Sequence, residues 1–275
     1  MPELPETETI ARDLDGAIRG RKIRKVSVRK SDVLREVNPR SLARRLQGAT
    51  IVRSWRRAKL VVLDLDTGDR LVVQPRFTGA LLIDDGNFQG EELRYSTLRF
   101  DLDDGRALHY ADVRRLGTVA LMDESRFQEY STKLGVEPLD RAFTAAHLSA
   151  VLRATSQPVK KALMEQRKIA GIGNIYANEA LWRARIDPSR LAASISLEEA
   201  SLLRDSIVGV LREAIKARGT SFRDYRDARG KRGGFVEKLD VYGRGGLPCR
   251  GCGSKLVSTH AVDGRATTMC PRCQH

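Results

Sequence analysis

The chain has 275 residues, with 49 Lys and Arg against 35 Asp and Glu, for a formal net charge of +14. That length suffices for two domains with full cores, and the basic excess points to a polyanionic partner, most simply nucleic acid. No apolar run approaches a membrane span and no hydrophobic segment follows the start as in a signal peptide, so a soluble, intracellular, monomeric protein with no membrane partner is expected.

The chain opens MPELPETETI. Proline near a helix start and acidic residues in its first turn are ordinary capping chemistry. From Pro5, Ile10, Leu14 and Ile18 recur every four residues, which predicts an amphipathic helix to about Gly20. A second reading is open: removal of Met1 would leave Pro2 as a secondary amine flanked by Glu3, Glu6 and Glu8, a nucleophile among carboxylates. Glu8 has no partner in this reading and is expected in solvent.

Short alternating or β-branched runs follow at 22–28, 50–57, 59–65, 70–74, 80–84, 98–102 and 106–112, with hairpin-like turns at DTGD and DDGR. Six or seven such strands predict a β-sandwich. Periodicity fades in KLGVEPLDRAF (133–143), so the first domain is expected to span 1–135, followed by a linker at 136–142.

The period then becomes helical in TAAHLSAVLRAT, PVKKALMEQRK, NIYANEALWRARI and LEEASLLRDSIVGVLREAIKAR. Between the second and third of these, Gly171 and Gly173 permit a tight turn and Asn174 is a natural N-cap. Exposed amides at such a helix start can bind phosphate, or the motif is only a turn. A Gly- and Arg-rich loop, SFRDYRDARGKRGGF (221–235), completes a helical domain at 143–246. All four cysteines lie in the last stretch, 247–275, as C-x2-C, seventeen residues, then C-x2-C. Two such pairs suit tetrahedral thiolate binding of one structural Zn2+ by Cys249, Cys252, Cys270 and Cys273, ordering a β-hairpin too short to hold a core alone. Four thiolates fill the site, so His260 is not expected to bind metal.

MPELPE, RRAK at 56–59, DVRRLG at 112–117, AGIGNIYANEAL at 170–181 and VYGRGGLPC…GRATTMCPRCQ at 241–274 together resemble bacterial formamidopyrimidine-DNA glycosylases, whose wider family includes endonuclease VIII. These blocks keep the family's order; segments 84–97 and 120–143 carry little recognisable pattern. The resemblance implies an α+β fold: an N-terminal helix with a β-sandwich, then a helix–two-turn–helix domain with a four-cysteine zinc hairpin. It implies a bifunctional glycosylase and abasic-site lyase acting on damaged double-stranded DNA in the bacterial cytoplasm, at the nucleoid. In that chemistry the Pro2 nitrogen attacks C1′, the base leaves, and an iminium permits β- and δ-elimination. An α-amine titrating near ~8 is partly neutral at physiological pH. Glu3 would protonate the sugar-ring oxygen, and Glu6 would orient or hydrogen-bond near the terminus as part of the DNA-contacting set.

The same resemblance assigns Lys59, Asn174 and Arg265 to backbone phosphates around the flipped nucleotide, Arg265 by its planar fork. Lys161 and Arg167 are expected either as helpers or as solvated helix-face charges, and His109 either to reach a neighbouring phosphate or to be packed in its strand. The gap left by base flipping would be filled by Phe77, Arg114 and Leu116, with Arg114 facing the orphaned base. Here the sequence departs from the pattern, since methionine is more usual at Phe77, phenylalanine at Leu116 and proline at Val113. The opening motif and the 221–235 loop favour 8-oxoguanine and ring-opened purines. The unusual wedge keeps an endonuclease VIII-like preference for oxidised pyrimidines open. A basic zinc-ribbon protein that binds DNA without chemistry is the third reading.

Overall fold

The computed structural model describes residues 2–222 and 224–275; Met1, whose removal bears on the nucleophile, and Arg223, within the 221–235 loop, lie outside the described residues. The chain forms two compact units, Met1–Thr132 with Ile215–Val236, and Lys133–Ala214 with Glu237–His275. The first boundary thus falls at 132/133 instead of 135/136. The Gly- and Arg-rich loop, expected within the helical domain, belongs to the first unit. The physical reason is a set of long-range bonds: the Ile83 amide donates to the Ala228 carbonyl (2.9 Å), and Arg218 pairs with Asp13 and Asp227.

Helix α1 (Leu4–Ile18) begins with Pro5 in its first turn, where a missing amide hydrogen costs nothing. Its stripe of Leu4, Ile10, Leu14 and Ile18 is fully buried. The strands are β1 (Ile23–Val28), β2 (Leu34–Arg35), β3 (Ile51–Arg57), β4 (Leu60–Leu65), β5 (Arg70–Gln74), β6 (Gly79–Asp84), β7 (Ser96–Leu102), β8 (Ala107–Asp112) and β9 (Thr118–Met122). They make a four-stranded sheet ordered β1-β7-β8-β6 and a five-stranded sheet ordered β2-β9-β5-β4-β3. All pairings are antiparallel except β2 with β9. The apolar sides of α1 and of both sheets share one core, from Ile10 and Leu14 through Leu63, Val73, Leu81 and Phe100 to Leu121.

Four elements went unrecognised in the sequence. Helices α2 (Pro39–Leu46) and α3 (Glu124–Ser131) are capped by Asn38 and Asp123, whose side chains accept from Ser41 and Arg126 amides. Strands β2 and β9 are the other two. Asn38-Pro39 is a helix-start signal that the sequence does display.

In the second unit lie α4 (Ala145–Arg153), α5 (Val159–Leu163), α6 (Asn174–Arg183) and most of α7 (Leu197–Lys216). Helix α5 stops five residues short of the expected Lys168, because the Gln166 side chain captures the following turn. Its Nε2 donates to the Met164 and Ile172 carbonyls and its Oε1 accepts from the Gly171 amide. The hairpin β10 (Val257–Thr259) and β11 (Thr267–Met269) is antiparallel, and α6 holds it. Asn178 Oδ1 accepts from the Thr268 amide (2.8 Å). The buried Glu179 accepts from the amides of Asp240, Val241 and Tyr242 at 2.8, 3.0 and 2.8 Å. Burial pushes the Glu179 carboxyl pKa up, against the pull of those three amides. Glu179→Ala leaves three amides without an acceptor and should cost at least about 3 kcal/mol. A lowered urea midpoint is the expected result; an unchanged one would show that the amides find other partners.

Candidate active site

Three elements of the first unit converge on the amino terminus. Pro2 is buried and Glu3 is the N-cap of α1, in a reciprocal capping box with Glu6. Glu6 Oε2 accepts from the Glu3 amide at 2.8 Å and Oε1 from the Thr220 amide at 2.7 Å. Glu6 is 1 % exposed, and both of its oxygens are turned to backbone amides around the terminus. Thr7 Oγ1 donates to the Glu3 carbonyl (2.9 Å) and reaches the Ala58 carbonyl (3.5 Å). That second contact brings in the β3–β4 turn, Ala58–Lys59, in which Ala58 takes a left-handed φ of 52°. Lys59 is thereby fixed beside the start of α1, its side chain largely buried.

Glu8, expected in solvent, supports the same turn. Its Oε2 accepts from Arg56 Nε (2.8 Å), and Arg56 Nη1 donates to the Ala58 carbonyl (3.1 Å). Burial alone would raise the Glu8 pKa, but Arg56 and Arg12 hold it below the ordinary carboxylate value. The RRAK turn is thus clamped to α1 by an ion pair whose arginine is nearly buried.

Two loops of the first unit carry Phe77 and residues 113–116. Asp112, buried, joins them: it accepts from Thr78 Oγ1, Tyr110 Oη and the Gly117 amide, while Thr78 Oγ1 accepts from the Arg114 amide (3.0 Å). Burial, with Asp112 alongside, keeps the Tyr110 phenol protonated and able to donate. A Cβ at Gly117 would lie 1.9 Å from the Tyr110 hydroxyl, so only glycine fits there. Arg76 and Arg115 each adopt φ of 51°, one strained residue per loop. Phe77 is 43 % exposed and Leu116 47 %, which excludes the core placement common for these residue types. The Arg114 guanidinium lies 5.1 Å from the Phe77 ring centroid.

His109 is a correction. It sits in β8, 3 % exposed, with Nδ1 2.8 Å from Ser96 Oγ and Nε2 3.7 Å from Asp84, beyond hydrogen-bond reach. Burial, then the Arg99 charge, lowers its pKa. An imidazole held neutral inside a sheet offers nothing to a phosphate.

In the second unit, Asn174 is the first residue of α6, and Gly173, not Asn174, is the N-cap. The freed amide side chain donates to the Ala266 carbonyl at 3.0 Å, in the β10–β11 turn. Arg265 follows an Asx turn in which its amide donates to Asp263 Oδ1 (3.1 Å). With Lys161, Gln157, Met164, Glu165 and Asp263 it lines a cavity of about 170 Å³; Arg167 is exposed. The residue that sequence reasoning missed is Lys160. It is fully buried, and its Nζ donates to Thr267 Oγ1 (2.7 Å), Asp263 (3.1 Å) and the Ala266 carbonyl (3.4 Å). Val159, Ala162 and Leu163 flank Lys160 and Lys161 alike, so no local signal marks the buried one.

The sulfurs of Cys249, Cys252, Cys270 and Cys273 all lie within 4.8 Å of one another and none is in a disulfide. A tetrahedral site with sulfur ~2.3 Å from zinc needs sulfurs about 3.8 Å apart. The Cys252–Cys270 and Cys249–Cys273 separations are 3.5 and 3.9 Å. The cluster can hold a metal ion.

Against known proteins, the profile of the formamidopyrimidine-DNA glycosylase N-terminal domain matches residues 1–119, and that of the family's H2TH domain matches 134–226. The chain belongs to the formamidopyrimidine-DNA glycosylase family. It is 43 % identical over 277 residues to a formamidopyrimidine-DNA glycosylase of Heliobacterium modesticaldum, all of both chains being covered. The figure for the Desulfitobacterium hafniense protein of that name is 41 % over 276 residues, again with full coverage of both. Among solved structures, the MutM (Fpg) protein of Thermus thermophilus superposes with a TM-score of 0.87 at 35 % identity, covering 99 % of this chain and 98 % of that one. A Lactococcus lactis Fpg in complex with abasic-site DNA gives a TM-score of 0.91 at 33 % identity, covering 99 % of each. Family membership concerns the fold and its blocks, whereas the placement of His109 is read from this chain. An unfolded histidine binds its proton near about pH 6.5 and the buried one only at lower pH. In that window the unfolded state carries the extra proton, so stability should fall as pH drops below ~6.5. His109→Asn should flatten that part of a urea-midpoint profile; an unchanged slope would put the imidazole elsewhere.

Proposed function

We propose that this protein is a bifunctional DNA glycosylase and abasic-site lyase of base excision repair, working on damaged double-stranded DNA as a monomer in the bacterial cytoplasm. The observation that carries the reading is the buried Pro2–Glu3 start, bound through Glu6 and Thr7 to the 220 amide and to the turn that bears Lys59. With Met1 removed, the Pro2 nitrogen lone pair forms a bond to C1′ as the C1′–base bond breaks and the base leaves with a proton. Glu3 supplies the proton to the ring oxygen, which opens the sugar and gives the iminium. The cationic nitrogen acidifies C2′–H, and successive β- and δ-elimination release the 3′ and 5′ phosphates.

Lys59, with Asn174 and Arg265 on the second unit, takes the backbone phosphates at the lesion, and Lys161 stands beside Arg265 as a further cation. The four cysteines hold a single structural zinc, which fixes the hairpin turn that carries Arg265 and takes no part in the chemistry. Phe77, Leu116 and Arg114 fill the gap left by the flipped nucleotide, and their exposure on two braced loops supports that role. The substrate class is 8-oxoguanine and formamidopyrimidines; mutants of the Lactococcus lactis Fpg have been crystallised with Fapy-dG-containing DNA. The endonuclease VIII-like reading retains one specific observation in its favour, the aromatic Phe77 wedge.

Borohydride reduction of the iminium on lesion duplexes tests the assignment. Wild-type protein should be trapped on DNA, most on 8-oxoguanine and formamidopyrimidine substrates. Pro2→Gly should bind but lose most strand cutting. Full lyase activity in protein shown by mass spectrometry to keep Met1 would sink the proline assignment. The wedge is tested separately. Extrusion costs a few kcal/mol of stacking and pairing, so roughly tenfold or greater slowing by Phe77→Ala and Leu116→Ala is expected on duplex and far less on single strands. Arg114→Ala should flatten opposite-base preference. Equal losses on both substrates with a lowered melting temperature would mean that these side chains serve stability instead.

A further inference from the structure

Helix α6 meets the hairpin with one stripe of side chains, Asn174, Asn178 and Trp182, spaced four residues apart on the same face. The first two are polar rungs. Asn174 Nδ2 donates to the Ala266 carbonyl in the turn (3.0 Å), and Asn178 Oδ1 accepts from the Thr268 amide in β11 (2.8 Å). The third rung falls at the base of the hairpin, where Trp182 packs against Val241, Cys249, Leu256 and Cys270.

The polar atom of that third rung differs from its counterparts. Of the two tryptophans in the chain, Trp55 donates its indole N–H to Asp64 at 3.0 Å. Trp182 Nε1 is buried and completes no hydrogen bond among the described residues. A buried donor left in that state is costly, so a neighbouring acceptor has a strong claim on it. The group it faces is the Cys249 sulfur. A Cβ built on Gly251 would lie 3.4 Å from Trp182 Cζ2, on the N–H side of the ring, and 3.8 Å from the sulfurs of Cys249 and Cys273. The indole edge and the sulfurs therefore border one small space. A thiol sulfur is a weak acceptor, whereas a metal-bound thiolate carries the charge that strengthens such a bond. Four thiolates on one divalent ion also leave surplus negative charge, which donors outside the cluster disperse. The Gly251 amide is already one such donor to Cys249 Sγ, at 3.4 Å.

We propose that Trp182 belongs to the metal centre: its indole N–H donates to the metal-bound Cys249 thiolate and forms the last rung between α6 and the hairpin. The inference rests on the reading of the four cysteines as a zinc site and adds a residue that this reading lacks. It also couples the metal to the far end of the helix, since α6 ends on the cluster through Trp182 and begins at Asn174, which holds the turn of Arg265.

The direct test uses the full-length wild-type protein with zinc exchanged for an NMR-active cadmium isotope. A proton hydrogen-bonded to a metal-bound thiolate shows scalar coupling to the metal. The Gly251 amide serves as the internal reference, and the Trp182 indole proton should show the coupling as well; an indole proton without it overturns the proposal. W182F keeps a ring but has no N–H. It should still bind one metal per chain, with affinity lowered roughly ten- to a hundredfold in chelator competition. Its cobalt form should show the thiolate-to-metal charge-transfer band moved to lower energy, a shift that loss of packing alone does not produce. Wild-type affinity together with a wild-type band in W182F counts against the proposal as decisively as a missing coupling. Elemental analysis of the wild type separates the two readings: one zinc per chain without indole coupling sinks this inference alone, whereas a metal-free active protein sinks the zinc reading beneath it and this inference with it.

Discussion

The Glu6 carboxylate is the contact on which the amino-terminal site depends. A buried carboxylate is tolerated only when its oxygens are hydrogen-bonded, and here one takes the Glu3 amide and the other the Thr220 amide. The first bond sets the chain direction immediately after Pro2. The second joins that turn to a segment more than two hundred residues away. Loss of either would take a donor from a buried carboxylate in an interior that solvates it poorly. The position of the terminal residue thus follows from the satisfaction of one acid, and Thr7 and the Ala58 carbonyl extend the same bond network to Lys59.

The second unit has an analogous organiser in α6. Along one helix Asn174, Asn178 and Glu179 each send a polar side chain to backbone groups of the hairpin or of the chain leading to it. Lys160 adds three donated bonds to the turn from α5. A hairpin of two three-residue strands cannot bury enough surface to hold itself, and these bonds fix its turn from outside while the cysteines gather its base. Arg265 therefore projects from a turn whose backbone is held, which lowers the entropy lost in the proposed closure of its fork on a phosphate.

Much of this was legible in the sequence, for identifiable reasons. Strands β3 to β8 alternate or are β-branched, and their limits fell within one residue of those expected, except that β7 starts two residues earlier. The cysteine spacing announced a metal-competent cluster, and the opening motif announced the family. Legibility failed where a residue's role is set by distant partners. Glu8 reads as one more acid on a helix until Arg56 is brought beside it by β3. Lys160 and Lys161 are equivalent in sequence, and only packing separates the buried donor from the exposed cation. His109 lies in a run that could face either way, and the pairing of β7 with β8 turned it to Ser96. Nothing local in 221–235 shows that it returns to the first unit, because the groups that hold it, Glu6, Asp13 and Ile83, are far upstream.

That return has a consequence for how the molecule is made. The first unit is discontinuous: its sandwich is complete by Thr132, but Ile215–Val236 is part of it. Chains emerge from the ribosome amino end first and fold as they emerge. During synthesis the sandwich can close around α1 while Glu6 Oε1 still waits for Thr220, 214 residues later. The nascent chain therefore passes through a stage with a formed β-core and an unfinished amino terminus. The amino-terminal network closes only after residues 133–214 of the second unit have been translated, so the order of translation itself withholds it until most of the protein exists.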